Sequence, residues 1–149
     1  MNAVALAAFD QYQSVYNDWD TLSRGVRSMA ALAHDAEMIV AEDPHRGIVG
    51  AVAYCPPNSR PRADFFQPEW AIIRMLVVDP AHRGRGIGRS LTQECLDRAH
   101  RDRAPLVSLH TSPAMEVALS MYLRMGFKLH RRVPDRFGVP YGVYTLSIE

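Results

Sequence analysis

From Arg83 to Arg89 the chain reads Arg-Gly-Arg-Gly-Ile-Gly-Arg, three glycines interleaved with four arginine and isoleucine side chains. Glycine reaches left-handed backbone angles and lets a ligand approach without a Cβ in the way. The first turn of a helix carries unpaired N–H groups and a partial positive charge. A glycine-rich turn that opens a helix is therefore a phosphate cradle, and Arg83, Arg85 and Arg89 would add charge around it. Two familiar cradles do not fit. Counted from Gly84, Arg89 stands where the P-loop needs its second glycine, the P-loop lysine is absent, and Arg89 also replaces the third glycine of the dinucleotide fingerprint. The pattern that remains is R-x-x-G-x-G, as Arg83, Gly86 and Gly88.

Other residues able to do chemistry stand apart from this turn. Tyr122, His110 and Glu69 can exchange protons, but a lone tyrosine on an amphipathic helix is commonly a core aromatic, and His110 could simply satisfy a strand end. Cys55 and Cys95 form no C-x-x-C pair and read as reduced, packed thiols. His34, His45, His82, His100 and His130 show no metal-ligand spacing, so no metal is expected.

The elements that must position these groups follow from periodicity. Residues 3–17 and 21–33 keep helical spacing. Glu37–Ala41 and Ile48–Tyr54 are short β-type runs joined by a hairpin-like connection, and a polar Pro- and Arg-rich loop follows over Pro56–Pro68. Ala71–Val78 is the most continuous apolar run, a central strand that Asp79-Pro80 must end. Ile87, Leu91, Cys95 and Ala99 mark an amphipathic helix after the glycine turn. Leu106–Thr111 is a strand. Ser112-Pro113 reads as a helix cap, Ala114, Ala118, Met121 and Met125 as a stripe, and Gly126 as the stop. Phe127–Val133 and Tyr141–Ile148 are strands. The order α, α, β, β, β, α, β, α, β, β gives an α/β fold, a mixed sheet covered by helices.

The chain has 149 residues, 48% hydrophobic and 22% charged, with a formal net charge of +1. That composition is globular, suits a single domain over residues 1–149, and calls for neither nucleic acid nor an anionic membrane as partner. No apolar run approaches the roughly 18 residues of a membrane span. The apolar stretch Ala3–Phe9 lacks the basic flank of a signal peptide, so a cytoplasmic location is expected.

The segment from Met75 to Gly88 resembles the central motif of the GNAT superfamily of N-acetyltransferases: a strand, a Pro turn, then Q/R-x-x-G-x-G/A opening a helix. A second family feature, A-x-x-x-Y-x-x-x-G-F, stands about 35 residues downstream as Ala118, Tyr122, Gly126 and Phe127. The resemblance covers roughly residues 3 to 149. It implies a mostly antiparallel central sheet flanked by helices, and acetyl-CoA as co-substrate. The family fold normally opens with a strand before its first helix, whereas this chain begins in what reads as that helix, so the first strand is expected to be missing here, either because the sheet has lost it or because the chain start is shortened. Many members carry an Asn seven residues before the Tyr, where this chain has Met115.

The resemblance also implies roles. The pantetheine arm would enter where the central strand parts from Leu106–Thr111, held by the backbone of Leu76, Val77 and Val78 and packed along Ala118. The pyrophosphate would sit on Arg83, Gly84, Arg85, Gly86, Ile87, Gly88, Arg89 and Ser90. Tyr122 would protonate the departing thiolate or position the thiol. Some protein-acetylating members carry a Glu twelve residues before the Tyr, where His110 stands here. His110 is thus a candidate base for the attacking amine, with Glu69 as rival; Ile72 occupies the position of a strand carboxylate in several members. The acceptor would be a small-molecule amine or a peptide N-terminus, chosen by the loops Asn58–Pro68 and Pro134–Tyr141, whose Arg60, Arg62 and Arg136 suit a carboxylate. The resemblance leaves open a homodimer, and a catalytically weak or inactive CoA-binding regulatory domain of the same fold.

Overall fold

A computed structural model describes residues 36–148 and Ala3. The helices expected over 3–17 and 21–33 lie outside the described residues, Ala3 excepted, as does the question of a strand ahead of them. The elements are β1 (Glu37–Asp43), β2 (Gly47–Cys55), β3 (Ala71–Val78), α1 (Ile87–Arg101), β4 (Leu106–Thr111), α2 (Glu116–Arg124), β5 (Lys128–Arg136) and β6 (Val139–Ser147). The strands form one mixed sheet in the order β1-β2-β3-β4-β6-β5. Among the described strands, only β3 and β4 run parallel. A parallel pair needs a crossover, and α1 supplies it. No described helix is long and apolar enough to cross a membrane.

Alternation along the strands sorts the core into two faces. On one, Val52, Tyr54, Ile73, Val107 and Leu109 pack with Leu91, Cys95 and Ala99 of α1 and Tyr122 of α2. On the other, Ile72, Val77, Tyr141 and Val143 pack with Phe66 and Trp70 from the loop between β2 and β3. Both cysteines are buried, as expected of packed thiols; burial pushes the Cys95 thiol up to about 12, which keeps it neutral and unreactive near pH 7.

Local chemistry fixes the ends of the elements. Asp43 Oδ1 accepts from the His45 and Arg46 amides at 2.8 and 3.1 Å, which folds the β1–β2 turn. Arg98 pairs with Glu94 one turn back, and Arg98 and Arg101 also reach Glu37 of β1, each at 2.9 Å. The arginine face of α1 is thus partly a strap onto the edge strand. The cap at Ser112-Pro113 needs correction. Ser112 Oγ accepts from the Ala114 amide and Met115 N–H donates to Ser112 O, so these residues close a turn; the helix starts at Glu116, with Leu119 N–H bonded to Met115 O. Its end is as expected: Gly126 N–H donates to Leu123 O and Phe127 N–H to Tyr122 O, the paired bonds of a glycine-terminated helix.

The pairing of β3 with β4 is brief. It joins Ala71, Ile72 and Ile73 to Val107, Ser108 and Leu109, and there it stops. Beyond Ile73 the strand is held by β2 alone, across a register shift opposite Met75, whose φ is +56°. A methionine in that region is strained, and such strain persists only where the surroundings impose it. The result is a sheet that opens in its middle, between two neighbouring parallel strands.

Candidate active site

The groove at this opening has a volume of about 370 Å³, in the range of small-molecule sites. One wall is apolar, made of Leu76, Val77 and Val78 from β3 with Val117, Ala118 and Met121 from α2. Its other end is the glycine turn, with Arg83, Gly84, Gly86, Ile87, Gly88 and Arg89. His82, Met115 and Arg124 complete the lining. Such a groove suits a ligand that is apolar at one end and anionic at the other.

Sequence dictates the shape of the turn. Asp79 Oδ1 accepts from the Ala81 amide and starts a single 3₁₀ turn, Pro80–His82. Gly84 and Gly86 both take φ of +78°, and Gly86 is the N-cap of α1. A Cβ built on either glycine meets nothing within 4 Å, so what these positions require is the left-handed backbone rather than relief from a clash within the protein. With Gly86 as N-cap, the amides of Ile87, Gly88 and Arg89 begin the helix and point out of its end. The Ser90 amide is already bonded to Gly86 O at 3.0 Å. Among the described residues, Arg89 and Arg124 have no ion-pair partner.

Of the expected cofactor-binding residues, Leu76, Val77, Val78, Arg83, Gly84, Gly86, Ile87, Gly88, Arg89 and Ala118 line this one groove, whereas Arg85 and Ser90 do not. Val117, Met121, Arg124 and His82 line it without having been singled out. Helical spacing from Ala118 points to Met121 and, one turn further, Arg124. Nothing in the sequence marks His82.

The proton-exchange candidates fall on either side of the sheet. Tyr122 lies one turn beyond Ala118 but is buried, its ring 5.5 Å from Phe127, and it is not part of the groove lining. Burial holds its phenol well above the ordinary tyrosine range, so it keeps its proton at any working pH. His110 follows directly on Leu109, the last β4 residue paired with β3, and is half-buried on the other face. Its ring stacks at tilted angles 4.4 Å from Tyr141 and 4.9 Å from Phe65. Glu69 is exposed, in the turn that precedes β3, ahead of the Ala71–Ile73 pairing whose far end is where β3 and β4 part. Arg62 cannot serve an acceptor carboxylate. Its guanidinium is spent on Ser59, Gln67, Trp70 and Pro56 carbonyls at 2.6 to 3.1 Å, which shape its own loop. No group of three His, Cys, Asp or Glu among the described residues could hold a metal ion.

The site is thus a groove where a mixed sheet opens between its two parallel strands, with a glycine-capped helix at the opening. The family model described as acetyltransferase (GNAT) matches residues 5–127, and the chain belongs to that family. The N-alpha-acetyltransferase RimI of Mycobacterium tuberculosis is 36% identical over 91 residues, 57% of this chain and 54% of the relative. The chain thus spans about half the length of that relative. Naa20 of Chaetomium thermophilum, solved with a bisubstrate analogue, superposes with a TM-score of 0.62 at 28% identity, over 73% of this chain and 64% of that one. A GCN5-related N-acetyltransferase from Kribbella flavida superposes with a TM-score of 0.64 at 24% identity, over 80% and 76% of the two chains, a likeness of fold.

Proposed function

We propose that the chain transfers an acetyl group from acetyl-CoA to a primary amine, on a small molecule or a peptide N-terminus, by direct attack within a ternary complex. The observation that carries this reading is the single groove that joins the glycine turn to the released edge of β3, with His110 at the first position beyond the parting strands. Acetyl-CoA fits the groove in kind: the turn offers amides and arginines to phosphates, and the apolar wall suits a thin arm. When bound, it supplies the activated acyl group.

The chain's own residues would do the rest. Backbone groups of Leu76, Val77 and Val78, free of the ladder with β4, hydrogen-bond the arm and polarise the thioester carbonyl. His110 takes the proton that the ammonium must lose before nitrogen can attack. Tyr122 holds a proton for the leaving sulfur. The new C–N bond forms as the C–S bond breaks, with no covalent enzyme intermediate, so the buried cysteines are spectators. Rate would come mainly from orientation and from stabilising the developing oxyanion. The same reading sets the protein in the cytoplasm, where both thiols stay reduced.

The test is turnover of acetyl-CoA against a panel of peptides and small amines, with acetylated product read by mass spectrometry. Acetylated product from one acceptor class is expected; tight CoA binding with no product from any acceptor would leave the regulatory CoA-binding reading instead. Where an acceptor is found, kcat/KM should rise with pH through an inflection that depends on His110, because the base must be neutral to accept a proton. His110→Ala should remove the inflection and leave CoA affinity unchanged, whereas Glu69→Gln should leave the profile intact. An unaltered profile in His110→Ala would rule out that role.

A further inference from the structure

His82 ends the 3₁₀ turn that leads into the glycine cradle and lines the groove, yet its side chain is only 6% exposed. Its Nε2 lies 3.9 Å from Asp43 Oδ2, in the turn between β1 and β2. Its Nδ1 is buried with no hydrogen-bond partner among the described residues. A buried ring nitrogen left unpaired costs free energy, and native structures keep such groups rarely and usually for a reason. Asp43 has its other oxygen occupied by two backbone amides. The His45 amide foremost holds its carboxyl below the ordinary range, so it is ionised at any working pH.

We propose that His82 is a proton-linked ligand of the cradle: as an imidazolium it bridges Asp43 and the pyrophosphate of the cofactor, so that the anion binds together with a proton. This rests on the reading of the groove as a CoA site. The charged groups around His82 set the sign. Asp43 and Arg46 stand on the β1–β2 turn, Asp79 at the end of β3, Arg83 and Arg85 on the glycine turn, Arg89 on α1 and Arg124 on α2. Without an anion, the arginines oppose a further cation and offset Asp43. An arriving pyrophosphate neutralises them and adds negative charge beside a ring that already faces a carboxylate, so it favours the protonated ring. By linkage, affinity must then fall as pH rises.

Dephospho-CoA is the probe, because it carries the pyrophosphate but no phosphate monoester that titrates near neutrality. Calorimetric titrations of the full chain at pH 7, in buffers of different ionisation enthalpy, should show net proton uptake, and Kd should rise about three- to tenfold from pH 6 to pH 8. His82→Gln should abolish the uptake and flatten the pH dependence; Asp43→Asn, which leaves the imidazole in place, should shift both to lower pH. Should His82→Gln fail to fold, the imidazole of the wild-type chain can be followed by NMR, and its titration should move upward when dephospho-CoA is added. Undiminished uptake in His82→Gln, or a ring that stays neutral with ligand bound at pH 6, would overturn the proposal while the CoA site stood. No binding of dephospho-CoA to the wild-type chain would overturn both.

Discussion

Tyr122→Phe is expected to lower kcat by about 10²–10⁴-fold, the usual loss for one general acid, with acetyl-CoA affinity unchanged. The substitution removes one oxygen and keeps a ring that is packed on Phe127, so the fold should survive. A phenol held in its protonated form by burial can donate at any pH, so the kcat of the wild-type chain should show no loss from Tyr122 up to pH 9. The comparison has to be made by single turnover, where chemistry limits the rate. Equal rates for the two proteins would return Tyr122 to the role its burial also allows, a core aromatic beneath Ala118.

Gly86→Val should weaken acetyl-CoA binding by roughly 5- to 150-fold, the equivalent of the about 1–3 kcal/mol that a side chain in an unsuitable backbone region costs. Gly86 sits at φ +78° and caps α1, so a β-branched residue there must either bear the strain or reshape the first turn, and with it the amides of Ile87, Gly88 and Arg89. Gly86→Asn separates this cause from simple obstruction. Asparagine tolerates the left-handed region, so it should retain most of the affinity if conformation is what matters. Equilibrium titration of the three proteins decides: equal affinity in wild type and Gly86→Val would remove the turn from the binding site.

What the sequence makes legible is what local chemistry determines. The hairpin at Asp43, the strand ending at Asp79-Pro80 and the helix opening at Gly86 follow from side chains adjacent in the chain, and each falls within a few residues of its expected place. Ser112-Pro113 shows the limit: the hydroxyl does cap an amide, but of a turn that precedes the helix, and the two look alike in sequence. Long-range burial is not legible. His82 is enclosed because the turn after β1 folds over it, and Asp43 is 39 positions away. Arg62 read as a free cation for an acceptor; backbone carbonyls brought together by its own loop take up its donors. Ser90 belongs to the motif by position but stands off the groove, because a helix turns each residue by about 100° and only part of its first turn faces the opening; Arg85, on the turn ahead of the helix, stands off it as well.

Calorimetric titration of acetyl-CoA into the wild-type chain is the most direct measurement of the central claim, that the groove between the parted strands and the glycine turn is an acetyl-CoA site. One molecule should bind per chain, with affinity that falls as salt rises because the cradle holds phosphates through arginines and amides. Stoichiometric binding weakened in Gly86→Val and largely retained in Gly86→Asn is the result expected. An absence of binding by the wild-type chain, or binding indifferent to both substitutions and to salt, would contradict it.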